Sequence, residues 1–423
     1  MRKGLGRHNY RSAGGPQPSL VLDFAGTGTL DPRVTFTRST TATYYNSSGV
    51  LSTAPINAPR FDFNPTTGES LGLLIEQSST NLLTYSQDFT NAVWTKSNAT
   101  ITATANIAPD GTQTAQLLIP NTSNTTHKLI QTIYPSSTWA YTVYVKANGV
   151  NYVALNEQYQ SGTSSQVLNL LTGVLTSLAG TVGTTTVTSV GNGWYRLTWS
   201  YFVDTANNGF SIVALNSNSG SANPNTYTWT GDGYSGIYIW GAQLEALAFP
   251  TSYIATTSAQ VTRAADNVSM TGTNFSSWFN ATQGTFYSES NSVNPLTTTD
   301  AYSIYASSGA LTDFIYLDNY GTRLQAAVRS SGTFSINYIT AIGAYPVNTF
   351  VKAGIYYQAN NFGATYSGNT PNTTSSGNVP VGVNNLVIGA SPFSGNAYLN
   401  GRIKKILYYP TALTNAQLQA LTT

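Results

Sequence analysis

The sequence contains no cysteine and only two histidines, His8 and His127, among 423 residues. Disulfides, thiolate metal sites and cysteine nucleophiles are therefore excluded. A Ser-His-Asp triad would have to use His127, and a surface histidine is the simpler interpretation of that residue. A metal site that uses both histidines is still less favoured. We therefore predict neither a bound metal nor a cofactor.

Charged residues make up only 8% of the chain, against about 25% in ordinary soluble proteins. No apolar run approaches the roughly 18–20 residues that a membrane-spanning helix needs, so we expect no membrane insertion. Ser, Thr, Asn and Gly supply the polarity and 28 tyrosines supply amphipathic bulk, which is typical of β-sandwiches with Thr-rich and Ser-rich outer faces. A net charge of +2 provides no basic surface for nucleic acid.

Residues 1–11 are basic, but no apolar segment follows them, so we expect no secretory signal. A β-rich chain with a surface-type composition, without disulfides and without an export signal, fits release by cell lysis. We therefore expect this protein on the surface of a phage particle.

The acidic residues do not form a catalytic pattern. A glycoside hydrolase needs two carboxylates across a cleft, whereas the sixteen acids here are scattered and most lie in predicted turns. Glu157 shares a strand face with Val153 and Leu155, but a solvated strand end or a pair with a lysine explains it. Asp313 and Asp318 flank the run FIYL and are likewise interpreted as strand-end residues. The sequence predicts that the protein is not an enzyme.

Residues 1–19 form a basic, extended arm that is too poor in apolar residues to build a core. Its positive charges are those of Arg2, Lys3, Arg7 and Arg11, and it also contains Tyr10. A disordered tail and a docking segment are both compatible with this composition. We expect docking, in which the arm binds other virion proteins of the capsid or the tail.

Residues 20–83 alternate short apolar runs with turns and predict a β-hairpin anchor segment. NSSG at 46–49 and NPTTG at 64–68 are the clearest turn signals. A segment of this size cannot bury a full core of its own. It should therefore pack on the next domain or on a neighbouring subunit.

Several motifs in this region follow one another in a fixed order: LDF, TFTR, ATY, PRFD, GLLIE and TNLL. Further along the chain stand APDGTQTA, VGNGWYRL, TYTWTGDGYSGIYIWGAQLEALAFPTSYI and TRAAD. In these motifs the sequence resembles phage proteins described as head-spike or head-fibre domain proteins. The resemblance covers the first 266 residues or so. It implies a virion location and says little about chemistry.

Residues 84–257 predict a jelly-roll-like β-sandwich. Apolar and polar side chains alternate over residues 139–146 and again over residues 194–203. A period of two predicts that one face of each strand is buried and the other solvated. Trp139 and Trp199 are therefore assigned to the core.

This domain resembles carbohydrate-binding modules of the type associated with xylanases and cellulases, in which an open concave face holds the sugar. Members of that family often carry paired aspartates for a structural calcium on the last strand. Trp240 and Gly241 stand there in this sequence, so the calcium site is not carried over.

Aromatic residues are the clearest candidates for a ligand site. Sugars stack their apolar faces on exposed rings, while Asn, Gln and Arg donate to their hydroxyls. The candidates are Trp194 and Arg196 on the polar sheet face, and Tyr227, Trp229 and Tyr234 in a loop-rich stretch. Loop anchoring and subunit contact are the alternatives for the second group. We predict that these five residues bind a host-surface glycan.

Residues 249–266 turn at Pro250 and lose all periodicity, and residues 258–275 are predicted to form a linker. Residues 276–423 contain strand-like runs separated by short turns, which predict a second sandwich. The stretches FVKAGIYYQANNFGATYSGN and LVIGASPFSGNAYLNGRIKKILYYPTALTNAQLQALT resemble a concanavalin-like, laminin-G-type domain. A terminal helix is predicted from Leu413 to Leu421, with Thr414 as its N-cap. Ligand residues vary too widely in that family to be transferred.

The prediction is an all-β protein with two jelly-roll-like β-sandwiches in tandem, preceded by a hairpin-rich N-terminal anchor and a basic arm. We expect a head spike, a head fibre or a related tail appendage that presents glycan-binding sandwiches for host attachment. The alternatives are a purely structural decoration or adaptor protein that binds other virion proteins, and a polysaccharide depolymerase. A homo-oligomer is expected and a trimer is favoured by analogy, although no heptad or triple-helix repeat encodes it.

Overall fold

The computed structural model describes residues 15–133, 137–157, 164–203, 209–218, 223–294, 300–320, 323–340, 347–393, 395 and 397–423. The chain forms two compact units that alternate along the sequence. Unit 1 contains the described residues up to Thr37, residues 72–76 and residues 267–423, and unit 2 contains residues 38–71 and 77–266. The strand pairs in both units are antiparallel, which confirms the all-β prediction.

The strands of the N-terminal region are short and separated by turns. One helical turn, α1 (Phe24–Thr27), follows the first strand. The strands up to Asn81 are β1 (Leu20–Asp23), β2 (Thr35–Thr37), β3 (Ala42–Tyr45), β4 (Leu51–Ala54), β5 (Arg60–Phe63), β6 (Ser70–Ile75) and β7 (Ser79–Asn81).

The middle of the chain supplies the longer strands of unit 2. They are β8 (Thr95–Ser97), β9 (Ala99–Asn106), β10 (Ala115–Pro120), β11 (Asn124–Thr125), β12 (His127–Thr132), β13 (Ser137–Asn148), β14 (Tyr152–Glu157), β15 (Val167–Asn169), β16 (Leu175–Thr176), β17 (Thr184–Ser189), β18 (Tyr195–Val203), β19 (Gly209–Leu215), β20 (Trp229–Thr230) and β21 (Gly236–Glu245).

The C-terminal region carries the remaining described strands and two helices, α2 (Thr273–Ser276) and α3 (Asn415–Thr422). Its strands are β22 (Val261–Arg263), β23 (Asn267–Thr271), β24 (Gln283–Ser292), β25 (Tyr302–Ser307), β26 (Phe314–Tyr320), β27 (Arg323–Ser330), β28 (Thr333–Ile339), β29 (Val351–Gln358), β30 (Asn361–Tyr366), β31 (Asn372–Thr374), β32 (Asn385–Ile388) and β33 (Gly401–Tyr409).

Unit 2 is built on two six-stranded sheets, ordered β17-β18-β13-β21-β10-β9 and β16-β15-β14-β19-β12-β8. Trp139, Tyr141 and Trp199 of the first sheet are fully buried in a core that also contains Phe210 of the second. The ring centroid of Trp139 lies 4.8 Å from that of Trp199 and 4.5 Å from that of Phe210. Burial of these large rings is the main stabilising term of the sandwich. The predicted core positions are confirmed.

The other face of the first sheet is not solvated, contrary to the prediction. Tyr144 of β13 and Trp240 of β21 project from it and pack with Leu51 and Tyr253 in a second apolar cluster. The hairpin of β3 and β4 and the segment around Tyr253 supply this cover. Alternation distinguishes the two faces of a strand, but it does not show whether a distant segment covers the outer face.

Unit 1 is also built on two sheets. One has the order β31-β30-β29-β24-β33-β6, with β1 also paired to β33, and the other has the order β2-β23-β32-β25-β26-β27-β28. The strand-like runs predicted between residues 283 and 409 form strands here. The predicted terminal helix is α3, and Thr414 caps it: its hydroxyl accepts from the backbone nitrogen of Gln417, whose side chain accepts from the nitrogen of Thr414. Leu418 of this helix is fully buried.

The units do not follow the predicted domain bounds. The predicted anchor segment 20–83 is divided between them, because β1 pairs with β33 and β2 pairs with β23 in unit 1. The predicted linker 258–275 is structured: β22 pairs with β7, and β23 pairs with β32. Short strands show a β-propensity in the sequence, but their distant partners are set by tertiary packing.

Among the described residues, no helix has the length and apolar character needed to cross a membrane.

Candidate functional site

The structure buries the tryptophan that was predicted to stack on a sugar. Trp194 is 2% exposed and belongs to the cluster of Tyr144 and Trp240 on the covered sheet face. Its indole nitrogen donates to the backbone oxygen of Ile107 over 3.0 Å. Its ring therefore supports the fold and cannot offer a face to a ligand.

Arg196 lies on the same covered face, beside Trp194. Its Nη2 donates to the backbone oxygen of Thr251 over 2.6 Å, and its guanidinium carbon lies 5.8 Å from the centroid of the Tyr144 ring. These contacts bind it to the covering segment of its own chain. Arg196 is thus a structural residue in this arrangement.

Tyr227 and Trp229 anchor a loop, which was the alternative interpretation. The Trp229 indole nitrogen donates to the oxygen of Ala214 over 3.1 Å, and the Tyr227 hydroxyl donates to Oδ1 of Asn216 over 2.6 Å. Trp229 also lies edge-on to His127, with 4.8 Å between the ring centroids. Both rings are half-buried.

Tyr234 is the one predicted glycan residue whose ring is well exposed, at 73%. It lies in a turn in which Oδ1 of Asp232 accepts from the backbone nitrogens of Tyr234 and Ser235. The five predicted residues therefore do not form one exposed cluster. The predicted docking residues Arg2, Lys3, Arg7, Tyr10 and Arg11, and also His8, lie outside the described residues.

The residues considered for catalysis are buried. His127 is fully buried rather than a surface residue, and its two ring nitrogens lie 2.7 and 2.9 Å from the backbone oxygens of Asn98 and Trp229. Glu157 ends β14 as expected, but it is buried rather than solvated. The described residues contain no group of three or more Asp, Glu or His placed to hold a metal.

Asp313 precedes β26 and has a structural role. Its Oδ1 accepts from the backbone nitrogens of Ser331 and Val381, at 3.0 and 2.9 Å. Burial opposes its ionisation, but these hydrogen bonds leave the pKa of Asp313 below the ordinary value. Asp313 therefore ties two loops of unit 1 to the strand.

An open groove crosses one sheet of unit 1, and the sequence did not predict it. It has two lobes, with volumes of about 960 and 380 Å³. Ser269, Val387 and Pro392 line both lobes, so the lobes are continuous. We call this feature the outer groove.

The floor of the outer groove comes from β23 and β32. Val268 and Met270 of β23 are buried, so the alternating Ser269 and Thr271 face the opposite side, where they line the groove. Ser269 lies across from Val387 in the register of the two strands. The groove therefore lies on the outer face of the sheet, away from the core.

One wall of the outer groove is formed by α2 and the turn that follows it. Gly272 precedes α2 with φ of 58°, which glycine adopts without a steric penalty. Phe275 is buried beneath this wall, and its ring centroid lies 4.7 Å from that of Phe279. Phe279 is half-buried and lines the groove, so part of its ring is available to a ligand.

Two amides in the outer groove are oriented by their neighbours. The Tyr398 hydroxyl donates to Oδ1 of Asn267 over 3.2 Å, and Nδ2 of Asn385 donates to Oδ1 of Asn384 over 3.0 Å. Each bond uses one lone pair of an amide oxygen and orients the amide, so that the NH₂ group of Asn267 or Asn384 can donate to a ligand and the oxygen can accept a second bond. The hydroxyl of Thr271 can donate or accept.

The same sheet carries an aromatic cluster on β25 and β26. The rings of Phe314 and Tyr316 stack at 5.3 Å, and Tyr305 stacks on Tyr316 at 5.6 Å. The Arg329 guanidinium carbon lies 5.8 Å from the centroid of Phe314 and 5.2 Å from that of Phe334. Phe334 is 44% exposed, so this cluster reaches the surface.

Asp318 lies near the end of β26, as expected, but its side chain is buried, with 2% exposed. Its Oδ1 accepts from the backbone nitrogen of Ala301 over 2.6 Å. Burial raises the pKa of Asp318 well above the ordinary value, and the negative charge of nearby Asp300 raises it further. Folding therefore shifts the equilibrium of Asp318 towards its protonated form, relative to the unfolded chain.

No protein-family model matches this chain, and no curated protein matches it in sequence. Among solved structures, it is similar to the CBM40 module of the Ruminococcus gnavus IT-sialidase bound to α2,3-sialyllactose, at 13% identity over 36% of this chain and 88% of that one, with a TM-score of 0.31. It is similar to domain 4 of AbnA, a GH43 extracellular arabinanase from Geobacillus stearothermophilus, in complex with arabinotriose, at 12% identity over 42% and 81%, with a TM-score of 0.30. The botulinum neurotoxin type G receptor-binding domain matches at 11% identity over 37% and 39%, with a TM-score of 0.27.

Proposed function

We propose that this protein is a phage virion appendage, a head spike, head fibre or related tail structure, that binds a host-surface glycan through the outer groove of unit 1. The groove itself carries the proposal. It combines exposed hydroxyls such as Thr271, amide donors such as Asn384 and part of the Phe279 ring. Sugars are bound by this combination of polar hydrogen-bonding groups and ring faces.

The outer groove favours binding over catalysis. Hydrolysis of a glycosidic bond uses two carboxyl groups on either side of the scissile bond. The described residues that line the groove include no aspartate or glutamate. We therefore propose a binding protein rather than a depolymerase.

The virion part of the proposal rests on the sequence. The motifs from LDF to TRAAD resemble phage head-spike and head-fibre proteins, and a chain with 8% charged residues and no cysteine fits that setting. The basic arm is proposed to bind other virion proteins, of the capsid or the tail. A homo-oligomer, with a trimer favoured, would present several grooves and raise the avidity for a repeating glycan.

A structural decoration or adaptor protein is the second candidate, and one observation favours it. Leu311, Phe334 and Val381 are exposed apolar residues of unit 1. Arg329 connects the first two, since its Nη1 donates to the oxygen of Leu311 and its guanidinium lies over Phe334. Exposed apolar groups of this kind are suited to contact another protein.

The test uses purified full-length protein and an array of bacterial surface polysaccharides. Thr271→Trp should fill the groove and weaken retention at least about tenfold, which corresponds to about 1.4 kcal/mol. Thr333→Trp, at an exposed strand start elsewhere in unit 1, is the matched control and should bind normally. Incorporation into particles without retention of any polysaccharide would support the decoration protein instead. Release of reducing sugar would identify a depolymerase.

A further inference from the structure

We infer that the outer groove selects uncharged oligosaccharides and discriminates against glycans that carry carboxylate, sulfate or phosphate groups. This inference rests on the proposed function and specifies its ligand class. It follows from the side chains of the groove, from their hydrogen-bonding capacity and from the groove's size.

The described residues that line the outer groove carry no charge. Its described lining residues are Ser, Thr, Asn, Gly, Ala, Val, Pro, Phe and Tyr, without Lys, Arg, His, Asp or Glu. An anionic sugar that enters the groove gives up part of its hydration, and no cation in the lining replaces it. Proteins that recognise carboxylates and phosphates commonly supply arginine or lysine for this purpose. The groove therefore penalises an anionic ligand relative to a neutral one.

The polar groups of the outer groove can both donate hydrogen bonds to sugar hydroxyls and accept hydrogen bonds from them. Asn267 and Asn384 each present an amide donor, and each oxygen keeps a second lone pair beside the bond it accepts from Tyr398 or Asn385. The hydroxyl of Thr271 can accept as well as donate. A sugar hydroxyl is likewise both a donor and an acceptor, whereas an ionised carboxylate only accepts. Neutral sugar rings therefore use more of this surface than anions do.

The size of the outer groove indicates a chain of several sugars. Typical small-molecule pockets measure about 300–1,000 Å³, and the larger lobe alone is about 960 Å³. The second lobe of about 380 Å³ extends it past Pro392 towards Tyr398. Phe279 lines the larger lobe and Tyr398 the smaller one, so each lobe has an aromatic ring on which a sugar face can stack.

The experiment compares neutral and acidic oligosaccharides of equal length, with calorimetry on the full-length protein. Neutral ligands should bind, and their Kd should change less than about twofold between about 0.01 and 1 M salt, over which the Debye length falls from about 30 to about 3 Å. Acidic ligands of the same length should bind at least about tenfold more weakly, a ratio worth about 1.4 kcal/mol.

A pair of charge variants tests the same point within the outer groove. For a neutral ligand, Thr271→Lys and Thr271→Glu should weaken binding to similar extents, within about threefold of each other. For an anionic ligand, the lysine variant should bind about tenfold or more tighter than the glutamate variant, since the two charges act in opposite directions. Thr333→Lys and Thr333→Glu are the controls, and thermal melts verify that each variant is folded.

The outcomes separate the inference from the proposed function. Salt-sensitive binding of acidic glycans, strengthened by Thr271→Lys, would overturn the inference and leave glycan binding intact. Binding that none of the Thr271 variants alters would show that the ligand site lies elsewhere. Absence of binding to every glycan would overturn the proposed function, and the inference with it.

Discussion

Arg38 donates from Nη1 to Oδ1 of Asp266 over 2.9 Å, although 228 positions separate the two residues in the sequence. Arg60 donates to the other oxygen of the same carboxylate, and all three side chains are fully buried. These residues end TFTR, open the RFD of PRFD and end TRAAD. Three of the motifs that resemble phage spike proteins therefore meet in one buried ion cluster of unit 2, and these three residues have a structural role there.

Removal of the Asp266 charge should destabilise unit 2 strongly. Asp266→Asn removes the carboxylate that both buried guanidiniums bind, and loss of one partner of a buried pair typically costs about 3–5 kcal/mol. Burial already lowers the pKa of Arg38, so the desolvation cost at this site is large. Urea unfolding measures the loss.

Asp31 provides the control for this prediction. It pairs with Arg33 over 2.8 Å at a partly exposed position, where such pairs contribute about 0–1 kcal/mol. Asp31→Asn should therefore have little effect. Equal stability losses in the two variants would contradict a central role for the buried cluster.

Alanine variants of Trp194 and Tyr234 should differ in stability, because Trp194 is buried in the fold and Tyr234 is exposed at the surface. Trp194→Ala removes a buried ring from the covered face of the sheet, and such truncations cost about 3–5 kcal/mol. Tyr234→Ala alters an exposed turn and should change stability by less than about 0.5 kcal/mol. Glycan binding by folded Tyr234→Ala should equal that of the unaltered protein. If Tyr234→Ala abolished binding, the ligand site would lie in unit 2 and not in the outer groove.

The free energy of unfolding should depend on pH through Asp318. Its folded pKa is raised, whereas the unfolded chain titrates near about 3.9. The folded state thus binds more protons between these two values, so stability falls as pH rises from about 4 to the folded pKa and is then constant with respect to this group. The slope for one proton is at most about 1.4 kcal/mol per pH unit.

Asp318→Asn should remove this slope and leave the rest of the pH profile unchanged. Calorimetric melts at a series of pH values from about pH 4 upwards compare the two proteins. Asp313 is a useful contrast, because its folded pKa is lowered. The stability that Asp313 contributes should therefore be lost as pH falls, and Asp313→Asn should remove this part of the pH dependence. A wild-type slope that persists in Asp318→Asn would show that another group titrates.

The basic arm is expected to attach the protein to the particle. Deletion of residues 1–18 preserves the contacts of Ser19, whose hydroxyl donates to the oxygen of Trp278, so both units should remain folded. Incorporation into particles should be lost. Salt should weaken docking of the intact protein, since exposed ion pairs are screened. Particles that contain the deleted protein at normal copy number would locate the anchor elsewhere.

Local patterns predicted much of the fold. Alternation placed Trp139 and Trp199 in the core, and Thr414 was correctly predicted as the N-cap of α3. The buried face of a strand and the start of a helix both depend on residues that are close in sequence. The cover over Trp194 is different, because it depends on residues near 51 and 253 that no local pattern connects.

The candidate site could not be predicted from the sequence for a similar reason. Ser269 and Thr271 alternate with Val268 and Met270, and this hydroxyl pattern was the available signal in a stretch interpreted as a linker. The groove forms only when β23 pairs with β32, more than a hundred positions later. Exposed hydroxyls are common in this Thr-rich chain, so the pattern alone could not single out the site.

The pairing of β1 with β33 has a consequence for how the protein is made. Leu22 leaves the ribosome early, yet its partner in the register is Ile406. At about 5–20 residues per second, it waits roughly 20–80 s for that partner to be synthesised. Unit 2 is complete at Asp266 and can fold meanwhile. A nascent chain that stalls before β33 therefore holds a finished unit 2 while the apolar strand β1 still lacks its partner, and an unpaired strand of this kind is prone to aggregation.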